Sequence, residues 1–242
     1  MNTMFLGAFS KAIASENAMG FAAVIPDIKC FSPEKGELLH GRDPVEMARC
    51  FVSYGAPVLS VVTEKEHFGG SQELLHAITN AVTVPVLRKD FITSESMLKD
   101  TVTLGASAVL LICAITDNKT LAALYNKALE RGLEPLVEVH TEQEMEFAIK
   151  LKACLIGVNN RDIRRLERDN GRSDQTVALA ANVPNGTLLI SESGILSPSD
   201  AKLAVSAGAD AILVGTALWQ ADDVETVYHS LRVERGNKCV QL

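Results

Sequence analysis

The chain has 242 residues, 47% of them hydrophobic, and carries a formal net charge of -7 at pH 7. Such a chain supplies no basic field, which argues against general affinity for nucleic acid or an anionic membrane while leaving room for a local anion site. Its five cysteines are odd in number and lack any Cys-x-x-Cys pair, so neither a disulfide framework nor a zinc site is suggested, and a reducing cytoplasm fits best.

Taken in order, Met1 to Ser15 carries one lysine and a mixed apolar pattern, without the long apolar core of a signal peptide. Phe5, Phe9 and Ile13, with Ala8 and Ala12 beside them, predict a short helix before the first strand. Eight short apolar runs follow, at 22–29, 57–65, 84–90, 108–112, 135–140, 155–160, 188–194 and 211–216. Their starts are spaced by about 20 to 35 residues, the room a helix and two loops need.

Asp43-Pro44 opens the first return helix, which stops before Gly55. Further helices are predicted at 72–82, 94–104, 118–131, 141–151, 174–181, 197–207 and 222–233. Thr141 and Glu144 have capping-box spacing, and Ser197-Pro198 offers a hydroxyl cap followed by proline in the first turn. Gly55, Gly105, Gly132 and Gly208 sit where helices must stop. The longest apolar stretch, 106–115, is interrupted by Ser107 and is far below the roughly 20 residues a bilayer requires, so the protein is expected to be soluble.

Eight apolar strands joined by helices predict one (β/α)8 TIM barrel over residues 1–242, an α/β fold with its active site at the C-terminal strand ends. Residues 1–20 then form a short N-terminal extension that covers the barrel floor or flanks its mouth, and residues 235–242 a loose tail. Lys29, Lys89, Glu138, Asn159 and Glu192 all fall at or next to strand ends. Strand residues of a parallel barrel are buried, so these are poor candidates for surface decoration. A buried lysine beside glutamate either stays protonated as an acid or loses its proton and serves as base or Schiff-base nucleophile.

Ser193-Gly194-Ile195 after the seventh strand and Gly215-Thr216-Ala217 after the eighth place backbone N–H groups at the usual barrel phosphate site. Thr216 adds a hydroxyl donor. His67 and His140 follow strands and border the site, whereas His40, His76 and His229 read as surface or packing residues. No trio of His, Asp or Glu has metal-ligand spacing, so no metal is expected. No Gly-x-Gly-x-x-Gly follows the first strand, which removes the main warrant for a dinucleotide.

From about Phe21 to Trp219 the residues resemble the indole-3-glycerol phosphate synthases of tryptophan biosynthesis. The resemblance rests on Asp27-Ile28-Lys29-Cys30-Phe31-Ser32-Pro33-Glu34-Lys35-Gly36, Val86-Leu87-Arg88-Lys89-Asp90-Phe91-Ile92, Leu136-Val137-Glu138-Val139-His140, Gly157-Val158-Asn159-Asn160-Arg161-Asp162, Ser191-Glu192-Ser193-Gly194-Ile195 and Leu213-Val214-Gly215-Thr216-Ala217-Leu218, together with Leu59 to Glu64. It implies a lyase without metal or organic cofactor that closes 1-(2-carboxyphenylamino)-1-deoxyribulose 5-phosphate to indole-3-glycerol phosphate, losing carbon dioxide and water.

By the same resemblance Lys89 matches the general acid at the ketone oxygen, and Glu138 and Asn159 match polar catalytic partners, with Glu138 the proton-transfer group in dehydration. Lys29 matches a lysine that contacts anionic groups of the substrate and serves as an acid. Glu192 lines the site, Ser32 matches a residue of the first loop, and Arg161 an arginine near the substrate. Ser193, Gly194, Gly215 and Thr216 match the phosphate end.

Two departures stand out. Pro26-Asp27 replaces the family's Ala-Glu, keeping a catalytic carboxylate at Asp27 but drawing it back by one methylene. The N-terminal extension is also shorter than usual. Two alternatives therefore stand beside the synthase: a paralogous cyclase or lyase on another phosphorylated ketose adduct, and a non-catalytic phosphosugar-binding subunit. The partner expected is a small phosphorylated molecule, with no nucleic acid or membrane, in a monomer or weak homo-oligomer.

Overall fold

The computed structural model describes residues 7–161 and 174–236. Strand β1 (Ala23–Ile28) is followed by a small antiparallel hairpin, β2 (Phe31–Ser32) and β3 (Gly36–Glu37), which the apolar pattern does not reveal. The remaining strands are β4 (Leu59–Val62), β5 (Val86–Lys89), β6 (Ala108–Ile112), β7 (Glu134–Val139), β8 (Leu155–Asn159), β9 (Leu188–Glu192) and β10 (Ala211–Val214). All but the hairpin pair in parallel and close into a barrel in the order β1-β10-β9-β8-β7-β6-β5-β4. The fold is the expected (β/α)8 barrel, with each of the eight runs supplying one strand.

The helices are α1 (Ala8–Ala18), α2 (Pro44–Ser53), α3 (Gln72–Ala81), α4 (Glu95–Thr103), α5 (Asn118–Glu130), α6 (Glu142–Lys150), α7 (Asp174–Leu179), α8 (Pro198–Ala207), α9 (Thr216–Trp219) and α10 (Val224–Ser230). Among the described residues none is long and apolar enough to cross a membrane. Local chemistry fixes their ends. Asp43 accepts from the backbone N–H of Val45 and Glu46 with Pro44 in the first turn, and Gly208 closes α8 at φ 119°.

The barrel strands read as unbroken apolar runs because both faces are buried. Their alternation of period two is nevertheless real. Ala23, Ile25, Leu87, Leu110, Leu136, Leu155, Ile190 and Leu213 point inward and form one core, while Val24, Val86, Val109, Val137, Ile156, Leu189 and Ile212 pack outward under the helices. Continuing the inward series toward the C-terminal ends gives Asp27 and Lys29 on β1 and just beyond it, Lys89 on β5, Glu138 on β7, Asn159 on β8 and Glu192 on β9. The same two-residue step that fills the core thus delivers the ionisable groups to one mouth.

Helix α1 closes the opposite end: Phe9 and Ile13 are fully buried against the inward core. It covers the floor, not the mouth. Phe5 lies outside the described residues, as do Asp162, Cys239 and the tail beyond Gly236.

Several expectations need correction. Glu144 does not complete a capping box with Thr141: Thr141 accepts from the Glu144 N–H, but the Glu144 carboxylate reaches back to the N–H of His140. The last helix is shorter than 222–233, because the chain after Leu231 turns to bond the N-terminal segment, with Ala22 N–H donating to Val233 O. Arg235 is not loose, since its N–H donates to Gly20 O and its guanidinium meets Asp210. The short helix α9 follows β10 where only a loop was expected.

Candidate active site

A cleft opens at the C-terminal mouth of the barrel. Asp27, Lys29, Lys89, Asn159, Arg161, Ser193, Gly194, Gly215 and Thr216 line it, so nine of the twelve expected site residues share one cleft. Three do not line it: Glu138 and Glu192 are fully buried, and Ser32 is buried at the end of β2. The Ser32 hydroxyl accepts from the N–H groups of Glu34 and Lys35, both at 3.3 Å, which shapes the loop between β2 and β3.

Strands β5 and β9 stand opposite one another in the ring. Across it, Lys89 Nζ lies 4.0 Å from Glu192 Oε2. Glu192 has room only because β8 carries Gly157 next to it; a Cβ there would fall 2.0 Å from Glu192 Oε1. Neither oxygen of Glu138 or Glu192 has a hydrogen-bond partner among the described residues. Burial raises the pKa of Glu192 well above the ordinary carboxylate range, and neighbouring Glu138 raises it further while Lys89 pulls it back. Buried carboxylates left in this condition are characteristic of sites that move protons.

The other polar groups are more firmly held. Ser60 Oγ donates to Asp27 Oδ1 at 2.6 Å, and Trp219 Nε1 donates to the Asp27 carbonyl. The shortened carboxylate is therefore anchored on β4. Lys29 Nζ stands 5.7 Å from the centre of the Phe68 ring, a cation–π arrangement. Asn159 Oδ1 accepts from the Arg161 N–H, and Arg161 Nη2 is 3.3 Å from Glu34 Oε2 in the first loop.

Ser193 and Gly194 both adopt positive φ, 64° and 70°. The chain thereby turns sharply at the end of β9, beside Gly215 at the end of β10. Asn160 fastens this turn: its Nδ2 donates to the carbonyls of Glu192 and Ser193 and to Ser191 Oγ. The opposite wall is apolar, built by Phe68, Phe91, Leu110 and Ile112. Neither Asn160 nor that wall stands out in the sequence as functional.

His140 borders Glu138 without lining the cleft, and His67 lies in the loop after β4. One trio, Glu64, Glu66 and His67, brings ligand-type atoms within 4.8 Å of one another, which linear spacing did not suggest. Glu64 is already engaged with the backbone N–H groups of Glu66, His67 and Phe68, so its carboxylate shapes the loop. The four described cysteines are free thiols, and burial pushes Cys113 up to about 12 with help from Glu144 and Glu138.

Comparison with known proteins agrees with this geometry. The family model for indole-3-glycerol phosphate synthase matches residues 6–231. A Pyrococcus furiosus protein named indole-3-glycerol phosphate synthase is 46% identical over 200 residues, covering 83% of this chain and 87% of its own. Namesakes from Pyrococcus abyssi and Oceanobacillus iheyensis are 41% and 40% identical, covering 86% and 90% of this chain and 90% and 82% of theirs. With the match running through both the helix on the floor and every strand that feeds the mouth, the chain belongs to the indole-3-glycerol phosphate synthase family.

Proposed function

We propose that the chain closes the indole ring, converting 1-(2-carboxyphenylamino)-1-deoxyribulose 5-phosphate to indole-3-glycerol phosphate with release of carbon dioxide and water. The observation that carries this reading is Lys89 facing the buried Glu192 at 4.0 Å in a cleft with glycine-rich turns on one side and an apolar wall on the other. The turns at Ser193-Gly194 and Gly215-Thr216 suit a phosphate, through backbone N–H groups and the Thr216 hydroxyl. Phe68, Phe91, Leu110 and Ile112 suit the aryl ring, and Lys29 and Arg161 its anionic groups.

Lys89 donates its proton to the ketone oxygen as the ring carbon bearing the carboxylate attacks the carbonyl carbon. A carbon–carbon bond forms and the carbonyl becomes a hydroxyl. Carbon dioxide then departs, and the electron pair of the broken bond restores the aromatic ring. In the last step the hydroxyl leaves as water with a proton from Lys29. Glu138 accepts the proton from the carbon beside nitrogen, and the new double bond completes the indole. Asn159 and Glu192 hold the polar layer around the reacting carbons, and Asp27 completes it from β1. Ser32 acts through the loop that carries Glu34 against Arg161.

Indole fluorescence on addition of the substrate tests the reading. Turnover is expected in the wild type and a loss of about 10²-fold or more in Lys89→Ala. Near-normal turnover by a folded Lys89→Ala protein would overturn the assigned mechanism. We further propose a cytoplasmic protein of one barrel domain, acting as a monomer or weak homo-oligomer.

A further inference from the structure

Immediately after β7, the ring of His140 stands between two carboxylates. Its Nε2 is 3.6 Å from Glu138 Oε1, and its Nδ1 is 3.6 Å from Glu144 Oε2. The side chain is only 13% exposed. Backbone contacts set its place: the His140 N–H donates to Glu144 Oε2 at 2.6 Å, and its carbonyl accepts from Gln175 Nε2. Neither ring nitrogen and neither Glu138 oxygen has a hydrogen-bond partner among the described residues.

The charges around this group are mostly negative. Glu138 reaches it from β7, Glu144 from α6 and Glu192 from β9, while the Cys113 thiol after β6 lies close enough to feel both Glu138 and Glu144. Lys89 from β5 and Asp27 from β1 act on Glu192. Burial alone pulls the imidazole toward the neutral form, yet Glu144, Glu138 and Glu192 together hold its pKa above the ordinary histidine value. A cation is therefore bracketed by carboxylates front and rear, beside a glutamate that has no hydrogen-bond partner among the described residues.

We propose that His140 is a positioning residue for Glu138: as an imidazolium backed by Glu144, it fixes the direction of the Glu138 carboxylate during dehydration. This rests on reading Glu138 as the proton-transfer group. Once Glu138 is oriented by an ion contact, loss of the imidazole proton releases it, and turnover falls on the alkaline side.

The test is the pH profile of kcat for ring closure by the intact chain, in wild type, Glu144→Gln and His140→Gln. Glu144→Gln keeps an oxygen for the His140 N–H but removes the rear charge, so the alkaline limb is expected about one pH unit lower. His140→Gln should lower kcat about tenfold or more with little change in KM, and abolish that limb. Limbs unmoved in both variants, with a uniform fall in kcat, would reduce His140 to packing and overturn the proposal.

Proton NMR titration of His140, assigned among the five histidines by its absence in His140→Gln, reads the same contact without turnover. Its pKa is expected to fall in both Glu144→Gln and Glu138→Gln. An imidazole indifferent to both substitutions overturns the inference even where the substrate assignment stands. A wild type that shows the contact but no turnover overturns the substrate assignment alone.

Discussion

Strand β7 carries two buried glutamates four residues apart, on the same inward face, and they could hardly be treated more differently. Glu134 at the floor is saturated: its carboxylate accepts from the N–H groups of Gly7 at 3.0 Å, Phe9 at 2.6 Å and Ser10 at 3.1 Å, and from the Ser10 hydroxyl. Those are the orphan donors of the first turn of α1, so a residue from another part of the chain supplies the cap that Gly7 cannot. Glu138 at the mouth has neither oxygen hydrogen-bonded among the described residues. A barrel divides its labour this way, with the floor built for stability and the mouth left poised for chemistry.

The largest effect expected is at the mouth. Glu138→Gln keeps the shape but removes the proton acceptor and the repulsion of Glu192. Its kcat should fall by about 10² to 10⁴-fold, the usual range for removing a general base. Thermal unfolding should show no loss of stability. A folded Glu138→Gln enzyme with normal kcat would erase the distinction between the two ends of β7.

Next in size is the mirror experiment. Glu134→Ala leaves the N–H groups of Phe9 and Ser10 without acceptors over the barrel floor, and should cost about 2 to 3 kcal/mol of stability by urea denaturation. The variant's kcat, measured where it is still folded, should match the wild type. A lowered kcat with unchanged stability would mean that the floor helix serves the cleft.

The division also has a pH signature. In the unfolded chain Glu192 titrates at its ordinary value of 4.5, and in the fold its pKa is raised, first by burial and then by Glu138. Between those two values the native state binds more protons than the unfolded one, so stability falls as pH rises through that window. Glu192→Gln does not titrate. Its stability relative to the wild type should therefore climb by up to about 1.4 kcal/mol per pH unit above 4.5 and level off past the folded value. A difference that stays flat with pH would show that Glu192 is better solvated than its burial indicates.

How much of this was legible in the sequence follows from the same contrast. Lys29, Lys89, Glu138, Asn159 and Glu192 could be read because each is a polar interruption at the end of an apolar run. The two glycine turns were legible for the same reason. Phe68, Phe91, Leu110 and Ile112 were not, because an apolar residue facing a cleft looks no different from one facing a helix when both faces are buried. Glu134 was hidden by distance, since its partners in α1 lie more than 120 residues away. The local sequence around α1 gives no sign of where its cap comes from. Ser32 and Glu144 were recognised as polar groups with work to do, but which backbone N–H each would serve depended on loop geometry that spacing does not encode.

The smallest effect tests whether a helix cap beside the cleft differs from one away from it. Ser197 caps α8 by accepting from the Asp200 N–H, while Asp200 Oδ2 accepts from the Leu196 N–H and from the Ser197 hydroxyl. This web holds the end of the turn that starts at Ser193, on the phosphate side of the cleft. Ser197→Ala removes one member and should cost about 1 kcal/mol, an ordinary cap loss. Because Ile195 and Leu196 line the cleft, the same change should raise KM several-fold and leave kcat nearly intact, with about 1 kcal/mol of binding lost at most. Asp223→Ala provides the control: it removes the cap of α10, which accepts from the Thr226 N–H on an exposed surface. A similar loss of stability with no change in KM is expected there. If both variants left KM untouched, the turn after β9 would hold its shape without its cap, and the fastening by Asn160 would be sufficient by itself.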